Sequence, residues 1–238
     1  MSIRRAVILA VVVIGAACAA FYVTRRPSAQ SRHVFVVRIP LERGVELRPV
    51  IAHGKVTRSE SFDEMVTRLK PYAAINGTFF SSELKPLGDI VIDGKLANRG
   101  HYPNAIAAKS NGQVVFVRRT GRRFDWRGYT SALAAGPRLV HKGRIKLDLK
   151  ADGFRLLGLE IKAPRSGIGL TRCGELLLVV DTDYVTIPDF AQTMLDQGAV
   201  EAMNLDGGPA SGLYHDGKTL VPATLRMTNI LMVVKRNR

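Results

Sequence analysis

The chain has 238 residues, of which 46% are hydrophobic and 23% are charged. This balance is typical of a folded protein with one substantial core and excludes a disordered polymer. The net charge of +15 at pH 7 favours anionic partners, such as phosphorylated glycans, acidic lipid headgroups or nucleic acid. Two cysteines, Cys18 and Cys173, are too few for a cysteine zinc site or a disulfide framework.

The first element in the chain is an apolar segment, residues 6–23, that contains no charged residue. Arginine pairs flank it, at residues 4–5 and 25–26. As a helix it would be about 27 Å long, which barely matches a hydrocarbon core. A basic start followed by an apolar run also describes a secretory signal. Residues 1–26 are therefore predicted to be an uncleaved membrane anchor or a cleaved signal, and both alternatives export the remaining chain and disfavour nucleic acid as a partner.

A polar linker, residues 27–33, leads into the main domain, residues 34–238. The β-branched run after His33 predicts a strand as far as Pro40. Ser61, with Glu64 three residues later, forms a capping box at the start of a predicted helix over residues 61–70.

The middle of the domain is predicted to consist mainly of strands joined by tight turns. Apolar runs at residues 90–92, 114–117 and 176–180 predict strands, and the dipeptides at 93–94, 111–112 and 142–143 predict hairpin turns.

A second helix is predicted over residues 188–197, followed by a buried strand at 200–205, a hairpin turn at 216–217 and a last strand at 229–234. The predicted fold class is α+β (mixed α/β), a single domain of mixed β-sheet with a few packed helices behind the N-terminal segment.

Three glycine-containing segments place polar side chains beside exposed backbone. They are residues 76–80 (NGTFF), 165–169 (RSGIG) and 204–211 (NLDGGPAS). The third segment follows a predicted strand, so its carboxylate is directed at the end of a sheet, where clefts form. Glycine allows a ligand to approach the main chain and its amide donors.

In this order, the three segments resemble the motifs of the phosphodiester glycosidase family, whose bacterial members are described as exopolysaccharide-related. The resemblance covers residues 70–235 and implies hydrolysis of the bond between a sugar and a phosphodiester. It implies substrate or phosphate contacts by both glycine-rich loops and by the arginine of the second segment. These contacts would come from Asn76, Gly77, Arg165, Asn204, Gly207, Gly208 and Ser211.

Two departures from the family pattern affect this interpretation. Thr78 replaces a glycine, and Pro209-Ala210 replaces Gly-Ser, which removes one amide donor and moves the hydroxyl to Ser211. The alternative to an enzyme is therefore a non-catalytic glycan-binding or exopolysaccharide assembly factor of the same fold.

Hydrolysis of a glycosyl phosphate requires support for an oxocarbenium-like centre and for the departing phosphate. Arg165 is assigned to the phosphate because its forked donors suit two oxygens. Asp206 is the preferred catalytic carboxylate, as nucleophile, base or acid. Asn76 is assigned to a sugar hydroxyl or phosphate oxygen. Asn204 is expected to share a strand face with Asp206, as an orienting or a structural residue.

The second catalytic carboxylate is expected to be Asp181, at the predicted end of the strand after residue 176, or Glu160, on a predicted strand with apolar neighbours. Neither a metal nor a cofactor is expected. The expected partners are a phosphorylated glycan or glycolipid and, through the N-terminal segment, a membrane. The expected location is the periplasmic side of an inner membrane, or the periplasm or extracellular side after secretion.

Overall fold

A computed structural model describes residues 33–42, 44–155 and 160–235. The predicted segment 1–26 and nearly all of the linker lie outside these residues. Within the described part of the chain, no helix has both the length and the apolar character needed to cross a membrane.

Sixteen strands and two α-helices form in the described residues. In chain order the elements are β1 Val34–Pro40, β2 Val45–Ile51, α1 Phe62–Leu69, β3 Ala73–Asn76, β4 Ile90–Ile92, β5 Lys95–Asn98, β6 Asn104–Lys109, β7 Val114–Arg118, β8 Tyr129–Ala135, β9 Arg138–His141, β10 Arg144–Ile145, β11 Ala163–Thr171, β12 Glu175–Val185, α2 Ile187–Asp196, β13 Ala199–Asn204, β14 Leu213–His215, β15 Lys218–Val221 and β16 Asn229–Lys235.

The strands form three sheets. The first has the order β1-β12-β11-β13-β9-β10, the second β15-β14-β3-β16-β2 and the third β5-β4-β8-β6-β7. Every pairing among the described strands is antiparallel. The prediction of a mixed sheet is therefore wrong, because hairpins and long returning connections join the strands and bring neighbours together in opposite directions.

The predicted hairpin turns are confirmed. Asp93-Gly94 has φ angles of 48° and 75°, and Lys142-Gly143 and Asp216-Gly217 also have positive φ at both residues. This left-handed backbone gives a two-residue turn the twist that antiparallel strands need, and Gly at the second position adopts it without steric cost.

Both predicted helices form, with small shifts at their ends. Helix α1 carries the expected capping box, since the Ser61 side chain accepts from the Glu64 amide and the Glu64 side chain accepts from the Ser61 amide. Helix α2 has a second capping box, formed by Thr186 and Asp189, which the sequence interpretation missed. In both helices the capping box provides acceptors for free N–H groups of the first turn, and one apolar face is buried. These two features explain why such short helices are stable.

The central core lies where the inner faces of the three sheets meet. It contains buried side chains from all three, including Ile39, Ile75 and Leu133. On its outer face the first sheet packs against α2 and the second against α1. The outer face of the third sheet carries an aromatic cluster, and this places aromatic side chains next to the strand ends that hold the predicted motifs.

Candidate active site

Asp206 lies at the carboxyl end of β13, where the first sheet meets the second. Its backbone N–H donates to the Gly77 carbonyl oxygen at 3.1 Å, and its side-chain Oδ1 accepts from the Gly207 N–H at 2.9 Å. Burial raises the pKa of the Asp206 carboxyl to about 6, and the Gly207 hydrogen bond offsets this only in part. A carboxyl group with this pKa exchanges protons near neutral pH, as a catalytic acid or base must.

Asn76 joins the first motif to the third. Its Nδ2 donates to the Asp206 carbonyl oxygen at 2.6 Å, and its Oδ1 accepts from the Gly212 N–H at 3.1 Å. Both ends of the amide are therefore engaged with the backbone around Asp206. The structure brings Asn76 and Asp206 together as predicted, with Asn76 fixing the position of the loop.

Gly77 supports the same junction. A Cβ at this position would stand 1.8 Å from Oδ1 of Asn229, which accepts from the Thr78 N–H at 2.8 Å. The Asn229 Nδ2 returns a hydrogen bond to the Thr78 carbonyl oxygen at 3.1 Å. Only glycine at residue 77 permits this approach.

An aromatic group packs on the outer face of the third sheet, and Asp206 influences it electrostatically. Tyr102 stacks in parallel on Phe154 with ring centroids 4.9 Å apart, and Phe79 packs edge-on against both rings at 5.7 Å. Burial, with a contribution from the negative charge of Asp206, raises the pKa of Tyr102 to about 12. Tyr102 therefore keeps its proton at neutral pH, and its electrostatic coupling places it in the environment of Asp206.

A polar network lies beside this aromatic group. Arg118 Nη1 donates to Oδ1 of Asn104 at 2.8 Å and also to Asp152, whose other oxygen accepts from the Arg138 N–H at 2.8 Å. Asp152 and Asn104 are each 1% exposed, whereas the Arg118 side chain remains partly exposed. The network joins the ends of β6, β7 and β9 around a buried carboxylate, and it also carries positive charge.

Arg165 reaches the site with its backbone. A Cβ on Gly207 would stand 2.8 Å from the Pro164 carbonyl oxygen and 3.8 Å from the Arg165 Cα. The half-buried guanidinium donates to the carbonyl oxygens of Val185 and Ile161, and burial lowers its pKa. Arginine stays protonated even so, and its described hydrogen bonds go to uncharged groups.

The two candidates for a second carboxylate lie in different surroundings. Asp181 is fully buried, opposite Arg165 in the β11–β12 register, and accepts from the Asp183 N–H at 3.1 Å. The predicted strand end at Asp181 is wrong, because β12 continues to Val185. Glu160 is exposed in a turn, so the strand predicted around it is also wrong at this residue. No described contact joins either side chain to Asp206.

The remaining motif residues lie on either side of Asp206, with Asn204 as the last residue of β13 and the others in the loop that follows. Asn204 is buried and donates to the Leu205 carbonyl oxygen, while Ser211 is buried near the end of the loop. Gly208 has a φ of 60° with open space around its α-carbon. The loop therefore presents glycine backbone beside the carboxylate, as predicted.

Both departures from the family pattern fit the structure locally. Pro209 lies in the first turn of a short 3-10 helix, Gly208–Ala210, where no backbone donor is required. Its carbonyl oxygen accepts from the Thr224 and Leu225 N–H groups at 2.9 Å. Thr78 packs its Oγ1 over Gly88, where a Cβ would be only 2.8 Å away.

Sequence reasoning missed four residues near the carboxylate. They are Tyr102, Asn104, Arg118 and Phe154. The only signal was weak: a polar asparagine begins the otherwise apolar strand β6. A separate groove of about 450 Å³ between β2 and the third sheet, lined in part by Arg48 and Lys109, contains none of the motif residues. Within the described residues, no group of three or more His, Cys, Asp or Glu side chains is arranged to hold a metal.

Solved structures share this fold. A hypothetical protein from Synechocystis superposes with a TM-score of 0.77 at 19% identity, over 85% of this chain and 59% of that one, so the present chain spans well under two thirds of its length. The catalytic domain of zebrafish N-acetylglucosamine-1-phosphodiester α-N-acetylglucosaminidase, auto-inhibited by its pro-peptide, gives 0.69 at 20% identity, over 85% and 82%. A putative exported protein from Burkholderia pseudomallei gives 0.65 at 16% identity, over 84% and 73%.

No curated protein matches the sequence significantly. The model of one protein family, described as phosphodiester glycosidase, matches residues 70–234. These residues include all three motifs, the hydrogen bond between Asn76 and Asp206, and the aromatic group of Phe79, Tyr102 and Phe154. Because the match spans more than half of the 238 residues, the chain belongs to the phosphodiester glycosidase family.

Proposed function

We propose that this protein hydrolyses the glycosidic bond of a sugar-1-phosphodiester in an envelope glycan or glycolipid. The observation that carries the proposal is the buried Asp206 carboxyl group, whose pKa is raised to about 6 and which is fixed at the junction of two sheets. Family membership supports the reaction class, and the name of the zebrafish neighbour describes such a reaction for that protein.

In the proposed reaction water adds at the anomeric carbon, the bond from that carbon to the phosphate oxygen breaks, and the phosphomonoester leaves with the bonding electrons. The departing phosphomonoester is a good leaving group, so neutralising its charge matters more than protonating it. Asp206 acts in its ionised form, as base towards water or as nucleophile. The Gly208 N–H donates to one phosphate oxygen, because the Gly207 N–H is engaged with Asp206. Arg165 neutralises the phosphate charge after its guanidinium turns away from the carbonyl oxygens of Val185 and Ile161.

The test is hydrolysis of a panel of chromogenic sugar-1-phosphodiesters by the wild-type protein and by Asp206→Asn. We expect turnover by the wild type and a loss of at least a hundredfold in kcat for the variant, with substrate binding retained. A folded wild-type protein that binds members of the panel and hydrolyses none would instead be a glycan-binding or assembly factor.

The pH profile tests the ionised form of Asp206. If the carboxylate is the reactive species, kcat/KM falls as the pH is lowered through about 6, because the buried group takes up a proton there. A profile that instead falls as the pH rises through 6 would make Asp206 a general acid and contradict this assignment.

We also propose that the protein acts outside the cytoplasm. The support is the charge-free segment 6–23 between arginine pairs, which suits a signal or an anchor. Fractionation of cells that produce the full chain tests this: we expect it in the membrane or periplasmic fraction. Recovery in the cytosol would overturn the location without affecting the proposed chemistry.

A further inference from the structure

The amide nitrogen of Asn104 is a buried donor with no acceptor. The residue is 1% exposed, and Nδ2 has no hydrogen-bond partner among the described residues. A buried unpaired donor is costly, so proteins retain one mainly where a ligand or water satisfies it. Its position, at the edge of the candidate active site, points to a substrate as the missing acceptor.

The orientation of this amide is fixed by its neighbours. Arg118 donates to Asn104 Oδ1 at 2.8 Å, and Arg118 is itself held by the buried Asp152 carboxylate. Because an arginine only donates, the oxygen of the amide must face Arg118 and the NH2 group must face the other way. Arg118 and Asp152 therefore act as positioning residues for the Asn104 donor.

The NH2 group of Asn104 and the ring of Phe154 both lie beside Gly136. At the position where a Cβ on Gly136 would stand, Phe154 Cε2 is 3.2 Å away and Asn104 Nδ2 is 3.7 Å away. The Phe154 ring also covers the face of Tyr102, with an angle of 1° between the ring planes. The Phe154 side chain thus occupies a slot. Its boundaries are the flat Tyr102 ring, the unpaired Nδ2 donor of Asn104 and the backbone of Gly136.

Phe154 is able to leave this slot without dismantling its loop. The preceding Gly153 has a φ of 84° and open space around it, and Phe154 is itself half-exposed. The anchor of the loop is Asp152, which is bound by Arg118 and by the Arg138 N–H. Rotation of the Phe154 side chain about its own χ angles would leave that anchor in place, together with the hydrogen bond from the Phe154 N–H to the Leu149 carbonyl oxygen.

We propose that this slot is a saccharide subsite of the candidate active site: the sugar ring displaces Phe154, stacks on Tyr102 and accepts a hydrogen bond from Asn104 Nδ2. A sugar ring presents a flat C–H face, which can replace Phe154 on the Tyr102 ring, and oxygen acceptors at its edge, which can satisfy the unpaired Asn104 donor. The inference rests on the proposed function and names the residues that select its sugar.

The test is a double-mutant cycle on a chromogenic sugar-1-phosphodiester. Phe154→Ala removes the competitor and is expected to lower KM about threefold or more, with kcat nearly unchanged. Asn104→Ala, and Asn104→Asp, which keeps an acceptor for Arg118, are expected to raise KM about tenfold, the value of one hydrogen bond. In the double variant with Asn104→Ala, the decrease in KM that Phe154→Ala causes should largely disappear, since both changes act on one subsite.

Phe124→Ala is the matched control, because Phe124 is also half-buried and stacks on Trp126 in the same aromatic cluster, at 4.4 Å. It should leave KM unchanged. An increase in KM with Phe154→Ala, or additive effects in the double variant, would overturn the subsite.

Calorimetry with glucose 1-phosphate and N-acetylglucosamine 1-phosphate separates this inference from the proposed function. Coupled binding effects at Phe154 and Asn104, without turnover by the wild type, would support the subsite and overturn the hydrolysis. Hydrolysis of the sugar-1-phosphodiester without coupled effects of the Phe154 and Asn104 variants would support the proposed function and overturn the subsite. Absence of both binding and turnover would overturn both proposals.

Discussion

At the scale of single residues, burial of the Asp206 carboxyl disfavours its charge, so the folded chain retains a proton that the unfolded chain has released between about pH 4 and pH 6. The free energy of unfolding therefore loses a contribution as the pH rises through that interval. Asp206→Asn removes the charge and keeps an oxygen for the Gly207 N–H. We expect this variant to be more stable than the wild type at pH 7.5, by up to about 3 kcal/mol.

Urea unfolding at pH 7.5 and at pH 4 measures this effect, and the difference between the two proteins should shrink at the lower pH. A variant that is less stable than the wild type at pH 7.5 would show that the ionised carboxylate has a stabilising partner. Loss of activity with a gain of stability would be the expected signature of a catalytic group held in an unfavourable environment.

Gly77 makes a second prediction at this scale. Gly77→Ala would press a methyl group into the Asn229 side chain, so we expect a loss of at least about 3 kcal/mol in the free energy of unfolding. Gly121→Ala is the control, because Gly121 has a φ of 88° and open space around it. That change should cost only about 1 kcal/mol, through backbone strain. Equal losses in chemical denaturation would contradict the steric account.

At the scale of elements, the sequence predicted local structure well wherever the signal was local. The capping box of α1 and the two-residue turns were predictable because a few adjacent residues determine them. The continuation of β12 beyond Asp181 was not, because a buried carboxylate inside a strand requires partners from neighbouring strands. Pairing with β1 and β11 across that position extends the strand, and no pattern within its own sequence indicates this.

The α1 cap provides the prediction for this scale. Ser61→Ala removes the side-chain acceptor for the Glu64 N–H, so we expect a loss of about 1 kcal/mol in the free energy of unfolding. Ser59→Ala, two residues earlier and outside the cap, should change stability by less than half as much. Thermal or urea unfolding measures the loss of stability in each variant. Equal losses for Ser61→Ala and Ser59→Ala would exclude a specific role for the cap.

At the scale of the whole molecule, the first and third motifs were predicted to meet and do so, since Asn76 binds the Asp206 backbone 130 residues away. The role of Asn76 differs from the prediction, because both ends of its amide are engaged with backbone. Tyr102, Asn104 and Phe154 could not be predicted as site residues. They come together only because distant parts of the chain converge, and that arrangement is set by long-range pairing.

The net charge of +15 gives a prediction for the molecule as a whole. A positive surface attracts an anionic substrate from a distance, and salt screens this attraction. We expect KM for a sugar-1-phosphodiester to rise severalfold between 50 and 500 mM NaCl. Binding of the matching uncharged methyl glycoside should change little, and equal salt dependence for both would rule out electrostatic attraction as the cause.

The pairing of Asn229 with residues 77 and 78 has a consequence for when activity can arise. These partners are separated by about 150 positions, so residues 77 and 78 are made long before Asn229, and the strand that carries Asn229 is also made after Asp206. A nascent chain that has not yet extended through β16 lacks the side chain that holds the Gly77 junction in place. We therefore expect the proposed activity to arise only after β16 has been made, and we expect proteolytic removal of β16 to abolish it while Asp206 stays in the chain.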